Sequence, residues 1–272
     1  MLFAINYSLE AAALCAEDRL KVDRFKCPDW PEMISEAEEL RQVAVHFSLK
    51  AGRGKAKKVV WEKIARLAEQ TGTPYINLHL EPRPEGYAGM PIDTSDPAHR
   101  QQVLEQTLED LWLAVRRFGA DRVIAENAPY RPTGTLLRLA VETEFITQVV
   151  EETGCGLLLD ISHAMISAHH LGISAQEYMS QLPVKHLREL HFAGVHNLNG
   201  WLQDHLPVLP ADWEVLKWVM GRIRSGAWLR PWLLAFEYGG VGEKFVNRSD
   251  VSVIEAQGGQ LYQMVQEMRG SD

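Results

Sequence analysis

Histidine and carboxylate side chains recur at matching places along this chain. His46, His79, Glu126, Asp160, His191 and Glu237 each fall at the end of a short apolar run of strand character. Imidazole and carboxylate are the groups that ligate divalent transition metals. Each residue alone has an ordinary explanation, as a satisfied structural histidine, a helix cap at Glu126 or a turn former at Asp160. All of them at the same end of successive strands ask for a common cause. Such groups gathered on one rim repel or stay unsatisfied unless a cation collects them. Three more candidates extend the set. His163 follows Asp160 by three positions in Asp-Ile-Ser-His, and Asp204-His205 lies in a long segment rich in Asn and Gly after His191. One ion takes about four to six ligands, so this set implies roughly two or three ions. Imidazoles without a thiolate point to Fe, Zn or Mn, not to hard-oxygen Mg or Ca sites.

Positioning these groups requires an alternation of strands and helices, and the sequence supplies one. Strands are expected at 2–6, 21–25, 42–47, 75–79, 122–126, 156–160, 188–192 and 232–237, the second being the weakest. Between them, apolar residues recur at helical spacing, as in Val59, Ile64 and Leu67, then Leu104, Leu108, Leu111 and Val115, then Leu136, Leu139, Phe145 and Val149. Ser174 and Asp212 read as helix N-caps and Gly119 as a C-terminal stop. Continuous apolar strands alternating with helices describe an α/β protein whose parallel strands are buried on both faces. The economical architecture is a single (β/α)8 TIM barrel spanning residues 1–272, with its chemistry at the C-terminal ends of the strands. An open doubly wound sheet competes, but no glycine-rich phosphate turn follows the early strands.

Composition narrows the classes further. The chain has 272 residues and net charge −8, which weighs against binding to the phosphate backbone of DNA. Cys15, Cys27 and Cys155 are odd in number and lack C-x-x-C spacing, so they read as reduced thiols of a cytoplasmic protein. The N-terminus has no basic signal-peptide region, and no apolar run approaches a membrane span. His99, His169, His170 and His186 read as surface or structural groups, the middle pair in a turn beside Gly172. His196 is left open, because its loop is expected on the same rim.

The segment LLLDISHAMISAHHLGISAQEYMSQLPVKHLRELHFAGVH (157–196), with VAVHFSLKAG (43–52), NLHLEP (77–82) and AENAPY (125–130), resembles the xylose-isomerase-like TIM barrels. More closely, it is similar to the multinuclear non-haem iron oxidase family, whose members modify cysteines in peptide natural products. The ligand order also resembles that of the endonuclease IV type of DNA-repair enzyme. The resemblance implies His46, His79 and Glu126 around one ion. Glu126 would bridge to a second ion held by Asp160, His191 and Glu237, with His163 and an Asp-x-His pair on a third. Glu126 and Glu237 are the catalytic carboxylates expected on this pattern. Two departures stand out. Position 163 is His here where many oxidase relatives have Asn, and the relatives' Asp-x-His is an adjacent Asp204-His205 followed by Leu206.

A bridging carboxylate with two ions serves either redox iron, which binds O2 and a thiolate, or zinc or manganese, which activates water or polarises a hydroxy-carbonyl. A non-haem iron oxidase acting on a small molecule or peptide ranks first. A sugar-type isomerase or epimerase, or a metal-dependent hydrolase or endonuclease, ranks second, and a non-catalytic metal- or partner-binding barrel third. Substrate contacts are expected from Asn127, Tyr130, Arg53, Lys55 and Trp201. Of these, Arg53 and Lys55 lie in a basic stretch, KAGRGKAKK (50–58), suited to a phosphate or an acidic peptide. The stretch 81–97 is long for a βα loop and reads as a lid. Tyr87, Trp201 and Tyr238 are rim aromatics that stack on substrate or pack the loops. The expected partners are a small-molecule or peptide substrate and a partner protein that delivers it.

Overall fold

The computed structural model describes residues 1–245 and 248–270. In chain order the strands are β1 (Leu2–Asn6), β2 (Arg24–Pro28), β3 (Gln42–His46), β4 (Leu49–Ala51), β5 (Ile76–Leu80), β6 (Val123–Glu126), β7 (Gly156–Asp160), β8 (Leu187–Phe192), β9 (Gly194–Leu198), β10 (Trp201–Leu206) and β11 (Leu233–Phe236). The helices are α1 (Leu9–Ala16), α2 (Pro31–Glu38), α3 (Trp61–Thr71), α4 (Pro97–Phe118), α5 (Thr143–Thr153), α6 (Ile161–Leu171), α7 (Ala175–Gln181), α8 (Pro210–Arg224) and α9 (Val251–Arg269). The chain divides into two compact units, one of residues 1–46, 67–73 and 189–272, the other of 47–66 and 74–188.

In the first unit the strand order is β3-β2-β1-β11-β8, every neighbouring pair parallel. The register sets Ala4 opposite Ala235 and Ala235 opposite His191. Small residues Ala4, Ala44 and Ala235 cluster with Leu233 on one side, and the alternate positions Phe3, Ile5, Phe25 and Phe236 are fully buried. Burial on both faces is why these strands read as continuous apolar runs rather than alternating ones. The second unit repeats the theme with β4, β5, β6 and β7 in sequence order, all parallel. Leu78, Ile124, Leu157 and Leu159 fill it, with Phe145 and Val149 of α5.

Local chemistry explains most boundaries. Ser174 caps α7 by accepting the Glu177 N–H, and Gly119 ends α4 with φ +90°, a conformation costly for any residue with a Cβ. Four expectations need correction. The second strand runs three residues later than the apolar pattern suggests, over Arg24–Pro28, where it pairs with β1 and β3 and takes in the buried Lys26. The helical spacing from Leu136 to Val149 is broken at Glu142, which has extended backbone, so α5 starts at Thr143. Asp212 is not the cap of α8. It is the third helical residue, and its carboxylate accepts the Leu209 N–H at 2.9 Å, ahead of Pro210 at the first position. His169 and His170 form the last turn of α6 rather than a loop, with Gly172 as a left-handed cap.

Candidate metal centre

In the second unit, the ends of β5, β6 and β7 bring His79, Glu126 and Asp160 to one edge of the parallel sheet. β6 ends on Glu126 and β7 on Asp160, and the register pairs His79 with Glu126. Asp160 is also the N-cap of α6. Its Oδ1 accepts the His163 N–H at 2.8 Å, which fixes His163 in the first turn of that helix. Ligand atoms of Glu126, Asp160 and His163 lie within 4.8 Å of one another. His79 joins them, its Nε2 standing 3.1 Å from Glu126 Oε2, and His163 Nε2 stands 3.5 Å from Asp160 Oδ2.

Surrounding hydrogen bonds decide which atoms point inward. His79 Nδ1 donates to the Leu49 carbonyl at 3.1 Å and His163 Nδ1 to the Asn127 carbonyl at 2.9 Å, so each ring presents Nε2 to the carboxylates. Burial pushes His79 below the usual histidine range and outweighs the pull of Glu126 upward. A neutral ring facing a carboxylate sets lone pair against lone pair, an arrangement that a cation relieves. The donor set therefore fits a transition metal. Asn77 donates to Glu126 Oε2 at 3.4 Å, and the Asn127 amide exchanges two 2.9 Å bonds with the backbone of Asp160. Asn127 is fully buried in that clasp, extending the β6–β7 ladder by one rung, so its amide is spent on backbone.

The first unit assembles a second group of titratable side chains. His191 lies near the end of β8, Glu237 directly follows β11, and His46 ends β3. His191 Nδ1 is 2.9 Å from Glu237 Oε1, and the His46 and His191 rings are 5.1 Å apart. Lys26, absent from the expected set, donates from Nζ to Glu237 Oε1. Burial raises Glu237, but Lys26 and His191 together hold it well below the usual carboxylate range. Burial and Lys26 lower His191, yet Glu237 and Glu189 win and push it up to about 9. Without a metal, this unit neutralises its own carboxylate with a lysine and an imidazolium. A metal on His191 would have to displace that proton.

Asp204 and His205 lie on a two-stranded antiparallel hairpin, β9–β10, where a loop was expected. The register slips between Gln203 and Leu206, and His205 has φ +56°. A bulge with a left-handed residue cancels the alternation of a regular strand, so adjacent side chains no longer point to opposite faces. Ligand atoms of Asp204 and His205 accordingly come within 4.8 Å of one another, with His205 Nδ1 2.9 Å from the Glu237 carbonyl. Of the remaining histidines, His196 bonds through Nε2 to the Pro207 carbonyl.

The residues expected to touch substrate divide sharply. The basic stretch 50–58 does not offer an anion site on its amides. Gly52, Arg53, Gly54 and Ala56 already give their N–H groups to the buried Asp110 carboxylate of α4, at 2.9 to 3.3 Å. Arg53 and Lys50 pair with Glu81, while Lys55 is exposed. Tyr87 donates its hydroxyl to the Gly52 carbonyl at 2.7 Å and is buried, which ties the stretch 81–97 to that turn. Tyr130 and Tyr238 are buried as well, whereas Trp201 is 43% exposed at the start of β10.

The succession of strands and helices matches whole solved structures. A D-tagatose 3-epimerase-like protein superposes with a TM-score of 0.61 at 14% identity, covering 99% of both chains. Endonuclease IV from Thermus thermophilus superposes with a TM-score of 0.53 at 16% identity, covering 98% of this chain and 100% of that one. This likeness shows the fold, which is that of a TIM barrel. Residues 98–232 match the model of one family, the RiPP precursor modification enzyme MbnB/TglH/ChrH. Glu126, Asp160, His163, His191, Asp204 and His205 all lie in the matched stretch. A UPF0276 protein of Paraburkholderia phytofirmans is 51% identical over 53 residues, 20% of this chain but only 17% of the relative's length. Another, from Rhizorhabdus wittichii, is 24% identical over 198 residues, 71% of this chain and 69% of the relative.

All three cysteines are buried free thiols. Among the described residues no helix is long and apolar enough to cross a membrane.

Proposed function

We propose that this chain is a metal-dependent enzyme that oxidatively modifies a peptide, with dioxygen as the electron acceptor. The observation that carries the reading is the Glu126–Asp160–His163 cluster, its ligand atoms within 4.8 Å, inside the stretch that matches the RiPP-modifying family. His79, Glu126, Asp160 and His163 are the ligands in the second unit. His46, His191, Asp204, His205 and Glu237 are the candidates in the first. The reading is of one domain, 1–272, holding roughly two or three transition-metal ions, iron before zinc or manganese.

Bound iron would supply the one-electron chemistry that O2 requires. The protein's part is positioning. The carbonyls of Leu49 and Asn127 fix the His79 and His163 rings, and the Asn127 clasp fixes Asp160. Glu126 and Glu237 are the carboxylates assigned to catalysis, the latter with Lys26 on one oxygen. Substrate contacts are assigned to the exposed Trp201 and Lys55 before the buried Asn127 and Tyr130 or the Glu81-paired Arg53. A partner protein that presents the peptide fits this class of work, and three unpaired thiols fit a cytoplasmic setting.

Metal analysis of protein purified without oxygen tests the reading. The expected result is iron as the main metal, an optical change on admission of air, and a large loss of metal in Glu126→Gln. Stoichiometric zinc or manganese with no response to air overturns the oxidase and leaves isomerase or hydrolase chemistry. Failure to bind any metal overturns the enzyme reading.

A further inference from the structure

The geometry points to Glu189 as the positioning residue of His191, acting with Trp232 to select Nδ1 as that ring's metal-binding atom. The inference rests on the proposed metal reading but concerns residues it does not use. Glu189 sits two positions before His191 on β8, so both side chains project from the same face of that strand. Glu189 Oε1 lies 2.9 Å from His191 Nε2, and its other oxygen accepts the Trp232 indole N–H at 2.8 Å. His191 is fully buried and Glu189 nearly so.

Chemistry gives this chain of contacts a direction. An indole N–H can only donate, and an ionised carboxylate can only accept. Trp232 therefore holds one oxygen of Glu189 and leaves the other to take the Nε2 proton of His191. With Nε2 committed as a donor, the ring's second nitrogen, Nδ1, is the one left for a metal, and it lies 2.9 Å from Glu237 Oε1. A ligating histidine needs this kind of fixed tautomer and ring angle, and losing its outer partner typically weakens metal binding by about 10–100-fold.

Cobalt(II), titrated alone into metal-free protein and followed by visible absorption, reads this directly. Glu189→Ala is expected to weaken cobalt binding by about 10–100-fold. Glu189→Gln keeps the shape but must serve two donors with one carbonyl oxygen, because its amide nitrogen cannot accept from Trp232. It is therefore expected to weaken binding as well. Adding Trp232→Phe to Glu189→Gln removes the competing donor, so the double variant is expected to bind more tightly than Glu189→Gln alone. A residue serving only the fold would give losses in stability that add, with no such recovery in affinity. Wild-type affinity in a folded Glu189→Gln, or additive losses in the double variant, would overturn the role of Glu189 and leave the metal reading intact. No cobalt uptake by the wild type would overturn both.

Discussion

Lys26 Nζ and His191 Nδ1 converge on the same oxygen, Oε1 of Glu237, in the first unit. A buried carboxylate held by two cations is strongly bound in the absence of metal, and removing one of them leaves charge without compensation. Lys26→Met is expected to destabilise the metal-free protein by about 3 kcal/mol. Urea unfolding of metal-free protein measures this, and a change under about 0.5 kcal/mol would remove Lys26 from the account.

The same cluster sets a pH dependence. Protonated His191 has its folded value raised to about 9 from an ordinary 6.5. The stability it contributes is complete below pH 6.5 and is lost as pH rises through 9. Glu237 is held low, so its contribution is present above its ordinary range near 4.5 and disappears as acid protonates it. Metal-free protein should therefore lose stability on both sides of neutrality. The alkaline loss should be absent in His191→Gln. Metal uptake should improve over the same alkaline range, because the metal competes with the Nδ1 proton.

Asn127 tests the second unit without replacing a proposed metal ligand. Its amide makes two buried bonds to the Asp160 backbone, so Asn127→Ala should cost about 2–3 kcal/mol. It should also reduce metal content, since Asp160 then loses its fixed direction. Calorimetry with metal analysis on the same sample checks both, and full metal content would show that Asp160 is held by its helix cap alone.

Gly52 controls the turn that wraps Asp110. Its φ is +86°, and an added Cβ would fall 2.9 Å from both Pro82 Cβ and Thr107 Oγ1. Gly52→Ala is expected to lose about 2 kcal/mol or more. Because Asp110 occupies the amides of this turn, inorganic phosphate should cause no shift in the Gly52, Gly54 and Ala56 amide signals by NMR. Shifts there would reopen the stretch 50–58 as an anion site.

Strand-end chemistry was readable in one dimension. Parallel strands buried on both faces appear as unbroken apolar runs, so a polar residue closing a run, such as Glu126 or Asp160, marks itself. Lys26 escaped because it lies within a strand whose apolar signal is weak, and the expected strand ended at position 25. Glu189 escaped because it reads as an ordinary polar neighbour of His191. Asp110 sits within the apolar spacing of α4, and nothing nearby in sequence signals that a glycine turn closes on it.

By itself the sequence determined the alternation of strands and helices, the strand ends that carry His46, His79, Glu126, Asp160, His191 and Glu237, and the donor chemistry that favours a transition metal. These follow from composition and spacing, which are local. The tertiary structure alone decided how those groups are held. Lys26 and Glu237 are 211 positions apart, and Glu189 and Trp232 are 43 apart. Hydrogen bonds fall off within a few tenths of an ångström, so such pairings exist only once the chain is folded. The same holds for Asp204-His205, whose adjacent side chains come together because one residue in a bulge takes a left-handed backbone.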